Sequence, residues 1–167
     1  MKLVKSVVSR LDVSFYGTHV GYVAFDKDWI GVQQLQTLIQ LDSIMPTAYR
    51  GPQQNLSTTI KVALDGIFMS AGNRPEVADV MVVVLGGPSL NSTLIKDVAQ
   101  AAKSAGIKIV TVGVGPNVDV DELKDIATNA TEAERLHVVA SENVTALLPT
   151  LLEYIRDLVV DIPDLGK

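Results

Sequence analysis

The strongest hydrophobic pattern in the chain is a run of consecutive apolar residues, Val80–Leu85, most of them β-branched. Glycine and proline end this run, and a second run, Ile107–Val114, ends in the same way at Gly115 and Pro116. Runs this short and this apolar predict strands buried on both faces, as in a parallel sheet covered by helices. The segment between them has the length of a helix and predicts a right-handed βαβ unit. Ligands of such sheets usually lie beyond the carboxyl ends of the strands, which makes Gly86–Ser92 the first candidate for a functional site.

Apolar residues at helical spacing predict helices around these strands. The clearest stripe spans Leu56–Ser70, with Asn55 as its N-cap and Gly72 as its stop. Gly106 is expected to end the crossover helix, and Pro149 to mark the first turn of the last helix or a kink in it. The buried faces are Leu3, Val4, Val7, Val8 and Leu11 in the opening helix, Leu94, Ile95, Val98, Ala101, Ala102 and Ala105 in the crossover helix, and Leu147, Leu148, Leu151, Leu152, Ile155 and Leu158 in the last helix.

The first half of the chain adds an apolar strand, Thr18–Phe25, and a charged turn, Asp26–Asp28. We expect a short edge strand at Trp29–Val32 and a modest amphipathic helix over Gln33–Ile44.

The second half adds a short helix and a third strand. Asp119 and Glu122 have the spacing of a capping box before a short helix, and Leu136–Ala140 predicts a strand. The order of elements predicts an α/β fold: a doubly wound, mostly parallel, Rossmann-like sheet flanked by helices.

Composition narrows the class of protein. The length of 167 residues predicts a single domain over residues 1–160, with 161–167 as a tail or linker. The net charge of −5 argues against a nucleic-acid partner, which would require clustered Lys and Arg. No apolar run approaches the ~18–20 residues that a membrane span needs. Cysteine is absent, which excludes disulfides and thiolate metal sites.

Four Asn-x-Ser/Thr sequons, at Asn55, Asn91, Asn129 and Asn143, are candidate glycosylation sites in a secreted glycoprotein. The opening residues MKLVKSVVSRLD do not form a signal peptide, because Lys5 and Arg10 interrupt a short apolar segment. The sequons fit an extracellular location.

Four stretches of the sequence resemble motifs of the von Willebrand factor type A (vWA) domain, over a region that extends from about Leu3 to Val159. The two most specific stretches are SAGNRPEVADVMVVVLGG and AAKSAGIKIVTVGVG, and the other two are THVGYVAFD and YRGPQQNLSTTIKVAL. The resemblance implies a vWA fold and a module that binds proteins, as in extracellular-matrix, collagen-like matrix and cell-adhesion proteins.

Most vWA domains bind a divalent cation at a metal-ion-dependent adhesion site. The resemblance implies ligands from an Asp-x-Ser-x-Ser motif after the first strand, a threonine before the third helix and an aspartate after the fourth strand. Here the first motif is absent, the threonine position falls at Gln54 and the aspartate position falls at Gly87, which has no side-chain ligand. Ser57, Ser89 and Ser92 are nearby hydroxyls, but hydroxyls without a carboxylate hold Mg²⁺ poorly. We therefore expect no cofactor and no Mg²⁺ site of the usual kind.

The resemblance also implies a first strand between Thr18–Phe25 and Val80–Leu85, and the chain has no such strand. Its absence would leave unpaired backbone groups inside the sheet. The strand could come from upstream sequence, the sheet could contract so that its neighbours pair directly, or a partner chain could donate a strand.

The remaining polar motifs predict no catalytic site. Gly86-Gly87-Pro88-Ser89 matches no nucleotide-binding pattern, and His19 and His137 lie within strand patterns. No nucleophile elbow is present. The acidic residues Asp119, Asp121, Glu122 and Asp125 are expected to form a solvated helix start, and Asp26 and Asp28 a solvated turn.

Three functional hypotheses follow. The first is a non-catalytic module of a matrix or adhesion protein that binds matrix or other protein ligands without metal. Its expected contact residues are Gln54, Asn55, Ser57, Gly87, Ser89 and Asn91. The second is a structural vWA domain that self-associates through helix faces. The third is an α/β enzyme that uses the Gly86–Ser92 loop, and it has the least support because no acid, base or nucleophile accompanies the loop.

Overall fold

The computed structural model describes residues 2–14, 16–25, 30–36, 55–89 and 92–160. Several predicted features lie outside these residues: the turn Asp26–Asp28, the candidate contacts Gln54 and Asn91, and the tail 161–167. Only residues 33–36 of the predicted helix Gln33–Ile44 are described.

The described residues form both strands and helices. The strands are β1 (Val20–Phe25), β2 (Ile30–Gln36), β3 (Val80–Leu85), β4 (Lys108–Val114) and β5 (His137–Val138). The helices are α1 (Lys2–Val8), α2 (Leu56–Ala63), α3 (Ser92–Ser104), α4 (Val120–Ile126), α5 (Ala130–Arg135) and α6 (Leu148–Val160). A π-helical segment, Leu64–Phe68, continues α2, and a 3₁₀ segment, Ser141–Leu147, leads into α6. No helix in this part of the chain is long and apolar enough to cross a membrane.

The strands form two sheets. β1 and β2 pair antiparallel, with Phe25 opposite Ile30. β3, β4 and β5 form a parallel sheet in that order, with Leu85 of β3 opposite Gly113 of β4. Within the described residues no ladder joins β1 to β3, so these strands do not form the contracted sheet considered from the sequence.

The parallel sheet carries apolar side chains on both faces because successive residues of a strand point to opposite sides. One core cluster packs α2, α3 and α4 onto the face that carries Met81, Val83 and Leu85. The other packs α1 and α6 onto the face that carries Val110 and Val112. Helices on both faces confirm the predicted doubly wound α/β architecture.

Two predicted helix caps are confirmed. The Oδ1 of Asn55 accepts the N–H of Thr58 at 3.3 Å at the start of α2. Gly106 follows α3 with a φ of 88°, and the N–H of Ile107 donates to the carbonyl of Ala102 at 3.1 Å. This is a Schellman ending, in which glycine supplies the left-handed residue without steric cost.

Three predicted boundaries are wrong. Residues 33–36 belong to β2 and not to a helix, because pairing with β1 outweighs the modest helical stripe. The α-helix that begins at Leu56 ends at Ala63, and the π-helical segment ends before Gly72, at Phe68. The strand predicted over Leu136–Ala140 is reduced to His137–Val138, which pair with Gly113 and Val114 at the end of β4.

Candidate functional site

The carboxyl ends of β3 and β4 bring two glycine-containing turns together. The Gly86–Ser89 turn follows β3, and residues 115–119 follow β4. A Cβ built on Gly115 would lie 3.6 Å from the carbonyl oxygen of Gly86, so the two backbones are close neighbours. Gly115 has a φ of 119°, a conformation that side chains rarely adopt, which explains why glycine occupies this position.

The Gly86–Ser89 turn presents few side-chain groups to solvent. Gly86 and Pro88 are exposed, whereas Gly87 is buried and Ser89 is half-buried. Gly87 therefore contributes neither a side chain nor an exposed backbone, and Pro88 is the projecting side chain of the turn. At the start of α3, Leu94 is 46% exposed and extends the same end of the sheet with an apolar side chain.

A buried carboxylate accepts a hydrogen bond from the backbone of the Gly86–Ser89 turn. The backbone N–H of Ser89 donates to the Oε2 of Glu122 in α4 at 3.2 Å. Glu122 is only 8% exposed. The solvated acidic helix start predicted from the sequence is therefore wrong for Glu122, whose side chain turns inward to the Gly86–Ser89 turn.

The capping box predicted for α4 is only half formed. The Oδ1 of Asp119 accepts the N–H groups of Asp121 and Glu122 at 3.0 and 3.2 Å, as an N-cap should. The Glu122 carboxylate, which would accept the N–H of Asp119 in a complete box, instead accepts the N–H of Ser89. Sequence spacing identifies the cap but not this tertiary contact.

Two buried polar atoms at this contact have no hydrogen-bond partner in the described structure, the Oγ of Ser89 and the Oε1 of Glu122. A buried polar atom that lacks a partner lowers the free energy of unfolding by roughly 1–3 kcal/mol. The contact between Ser89 and Glu122 is therefore less favourable than the aliphatic packing around it.

Asn55 and Ser57 lie together at the start of α2. The Ser57 hydroxyl donates to the Oδ1 of Asn55 at 3.3 Å, and Ser57 is only 4% exposed. These two candidate contact residues therefore have a capping role. Leu56 between them belongs to the same core cluster as Leu85, which anchors the start of α2 and the end of β3 in one core.

Ion pairs link α3, α4 and α5 on the surface. Lys96 pairs with Asp125 at 2.7 Å, and this hydrogen bond raises the pKa of the Lys96 ammonium. Lys124 pairs with Glu134 and more loosely with Asp121, and the hydrogen bond to Glu134 raises the pKa of Lys124. These cations are engaged with neighbouring carboxylates and are not directed at the turn.

The sequon asparagines have different environments. Asn129 is exposed, but its Oδ1 caps α5 by accepting the N–H of Thr131 at 3.0 Å. Asn143 is exposed in the 3₁₀ segment, Asn55 is half-buried, and Asn91 lies outside the described residues. Exposure therefore makes Asn143 the most accessible acceptor among the described sequons.

A family model of the von Willebrand factor type A domain matches residues 1–153. The chain belongs to this family. Its vWA fold is also found in solved structures of proximal thread matrix protein 1 from the mussel byssus. One such structure superposes with a TM-score of 0.80 at 19% identity, over 92% of this chain and 40% of that one.

A second crystal form of the mussel protein gives a TM-score of 0.79 at 20% identity, over 92% of this chain and 41% of that one. A third structure, described as having a zinc-occupied MIDAS motif, gives 0.79 at 19% identity over the same shares. The chain spans about two fifths of the length of these structures. None of the curated proteins compared with the chain matches it.

The described residues of this vWA domain do not fit the cation site of the family. Gly87 stands where the resemblance places the aspartate, and the described residues contain no group of three or more His, Cys, Asp or Glu that could hold a metal ion. The carboxylate beneath the turn, Glu122, accepts a backbone N–H with one oxygen. Hard cations such as Mg²⁺ need several oxygen ligands around one position, and this arrangement does not provide them.

Sequence reasoning missed three residues of this site. Pro88 lies in the candidate loop Gly86–Ser92 but is not among the expected contact residues, although it is the exposed side chain of the turn. The helical stripe predicts Leu94 on the buried face of α3, yet Leu94 is 46% exposed. The sequence predicts a solvated Glu122, and its buried role depends on Ser89, which is remote in sequence.

Proposed function

We propose that this vWA domain is a non-catalytic protein-binding module of an extracellular-matrix or cell-adhesion protein. It binds through the turns at the carboxyl ends of β3 and β4, and it does so without a metal ion. The observation that carries the proposal is the composition of the Gly86–Ser89 turn. Gly87 is buried and has no side chain that could bind a cation, and the Glu122 carboxylate faces inward, where it accepts the N–H of Ser89.

The exposed side chains at this edge favour a ligand that binds by shape complementarity and apolar contact and not by charge. Pro88 projects from the turn, and Thr93 and Leu94 follow it in the first turn of α3. The backbone that presents these side chains is positioned by four of the expected contact residues, Asn55, Ser57, Gly87 and Ser89. A contact of this kind suits a protein surface, because apolar side chains with few charges form the centre of most protein interfaces.

The mussel byssus protein with the same fold is named as a thread matrix protein, which supports a matrix role and an extracellular location for this chain. Asn55 and Ser57 serve the cap of α2, and the Oε2 of Glu122 accepts the N–H of Ser89. These structural roles support binding without catalysis.

The experiment measures binding of the purified chain to surfaces coated with fibrillar collagen, fibronectin or laminin. We expect saturable binding to at least one surface. Leu94→Asp should weaken it about tenfold or more by placing a charge in an apolar contact. Val159→Asp is the matched control, because Val159 is exposed to a similar degree, 41%, and lies in α6. Absence of binding to all three surfaces, or equal loss with both variants, would contradict the proposal.

A further inference from the structure

Two of the sequon asparagines lie on exposed segments of the chain. Asn129, Ala130 and Thr131 are all exposed, and they form the N-cap and the first residues of the short helix α5. Asn143 and Thr145 are exposed in the 3₁₀ segment between β5 and α6. In both places solvent reaches the asparagine and also the threonine two residues later, which together define an acceptor for an N-linked glycan.

The sequon at Asn55 has a different environment. Asn55 is half-buried, and Leu56 and Ser57, which complete the sequon, are 1% and 4% exposed. The Ser57 hydroxyl donates to the Oδ1 of Asn55 at 3.3 Å, and Leu56 belongs to the core cluster that packs onto β3. N-linked glycans are bulky and occupy surface positions. This sequon leaves the surface when α2 packs onto the sheet.

The cap that Asn129 provides for α5 does not compete with a glycan. Its Oδ1 accepts the N–H groups of Thr131 and Glu132 at 3.0 and 3.4 Å, whereas its Nδ2 makes no hydrogen bond with the described residues. An N-linked glycan is attached to Nδ2, and the amide that carries it keeps Oδ1 as an acceptor. The glycosylated side chain therefore still caps α5.

Asn129 lies at the end of the sheet opposite the proposed ligand site. The N–H of the preceding residue, Thr128, donates to the carbonyl of Ile109 at 2.8 Å, and the Oγ1 of Thr128 accepts the N–H of Ile109 at 2.8 Å. Ile109 is the second residue of β4, whereas the Gly86–Ser89 turn lies beside Gly115, after the last residue of that strand. A glycan on Asn129 therefore leaves the turn uncovered.

We propose that Asn129 and Asn143 carry N-linked glycans and that Asn55 does not. The inference rests on the extracellular location in the proposed function and goes beyond it by assigning the modified residues. The donor is an oligosaccharide linked to a lipid pyrophosphate. The asparagine Nδ2 forms a bond to C1 of the first sugar and loses one proton. The bond between C1 and the phosphate oxygen breaks, and the lipid pyrophosphate leaves.

The experiment expresses residues 1–167 behind a cleavable secretion signal in cultured animal cells, and both the secreted and the cell-retained chain are analysed. Electrophoresis before and after digestion with peptide N-glycosidase shows the glycans as mobility shifts. Digestion in H₂¹⁸O converts each glycosylated asparagine to ¹⁸O-labelled aspartate, which peptide mass spectrometry locates. We expect label at Asn129 and Asn143 and none at Asn55. Asn129→Gln and Asn143→Gln should each remove a single glycan.

A second set of variants keeps the asparagines in place. Thr131→Ala and Thr145→Ala destroy the sequons and should remove the same glycans, whereas Thr131→Ser and Thr145→Ser should retain them. Thr131→Ala also leaves the cap of α5 intact, so its Tm should lie within about 2 °C of that of the parent. Asn129→Gln removes the cap and should lower the Tm by about 2–4 °C.

Removal of the secretion signal shows that the chain has entered the secretory pathway. In such a chain, absence of label at Asn129 or Asn143 would overturn the assignment of that residue. A glycan on Asn55 in the secreted chain would overturn the distinction between buried and exposed sequons. Matrix binding is a separate measurement, so its absence would contradict the proposed function and leave the result on the glycans unchanged.

Discussion

The backbone N–H of Ser89 donates to the buried carboxylate of Glu122 at 3.2 Å, across 33 residues of sequence. The contact joins the turn after β3 to the helix after β4, at the end of the sheet where vWA domains place their ligand site. In this chain a carboxylate is present near the site, but it supports the turn from inside and does not face a ligand.

Replacement of Glu122 tests this support. Glu122→Ala removes the acceptor that the described residues provide for the Ser89 N–H and should lower the free energy of unfolding by about 1–3 kcal/mol. Glu122→Gln keeps an acceptor oxygen for the Ser89 N–H, so its effect should stay within about 1 kcal/mol. Urea denaturation measures both changes. Unaltered amide exchange at Ser89 in Glu122→Ala would show that the contact does not hold the turn.

The cap at the start of α2 gives a second prediction. Asn55→Ala removes the Oδ1 that accepts from Thr58 and from the Ser57 hydroxyl, and should destabilise the domain by about 1 kcal/mol. Asn143→Ala, at an exposed position in the 3₁₀ segment, is the control and should be neutral. Thermal and urea unfolding of the two variants provide the comparison. Equal stability of both would contradict a capping role for Asn55.

Two glycines allow a matched test of backbone strain near the site. Gly115→Ala forces a side chain into a φ of 119° and should destabilise the domain by more than about 1 kcal/mol. Gly66→Ala places its Cβ in open space within the π-helical segment, where alanine should be neutral or stabilising by up to about 1 kcal/mol. Denaturation midpoints should therefore move in different directions or by clearly different amounts. A smaller loss at Gly115 than at Gly66 would contradict the described turn.

The contribution of Tyr154 to the free energy of unfolding should depend on pH because its hydroxyl is buried. Burial raises the pKa of its hydroxyl above the ordinary value of 10.0, the negative charge of Glu132 adds to this, and the buried hydroxyl has no described partner. The folded state thus disfavours ionised Tyr154. The stability that this neutral tyrosine contributes is complete below pH 10 and is lost as the pH rises through the pKa of the folded state.

Tyr154→Phe should therefore be neutral or slightly stabilising at pH 7 and should lose less stability than the parent as the pH rises above about 10. Tyr16→Phe, at a residue whose side chain is largely solvent-exposed, is the control. Guanidinium denaturation at each pH measures the difference. An identical alkaline loss in the parent and Tyr154→Phe would contradict the burial of this hydroxyl.

The parts of the fold that the sequence predicts well are those determined locally. Val80–Leu85 is a strand with the predicted bounds because its apolar run and its glycine ending are both local signals. Gly106 ends α3 for the same kind of reason. By contrast, residues 33–36 become a strand through pairing with β1, which no local pattern contains.

The candidate site was less predictable because its geometry depends on contacts between remote residues. The expected position of the site follows from the ends of β3 and β4, and the lack of a side-chain ligand at Gly87 is read from the sequence. The inward orientation of Glu122 depends on Ser89, and the exposure of Leu94 depends on how α3 begins beside the turn. A capping-box spacing and a helical stripe are local patterns, so they do not predict contacts between residues that are remote in sequence.

Binding of the chain to a matrix-protein surface in the presence and absence of EDTA tests the central claim most directly. The measurement uses the surface among fibrillar collagen, fibronectin and laminin that binds the chain best, and compares apparent affinity in EDTA with that in added Mg²⁺. Binding through a metal-free Gly86–Ser89 turn predicts equal affinity in both conditions and a loss of about tenfold or more in Leu94→Asp. Affinity that disappears in EDTA and returns with Mg²⁺ would contradict the account.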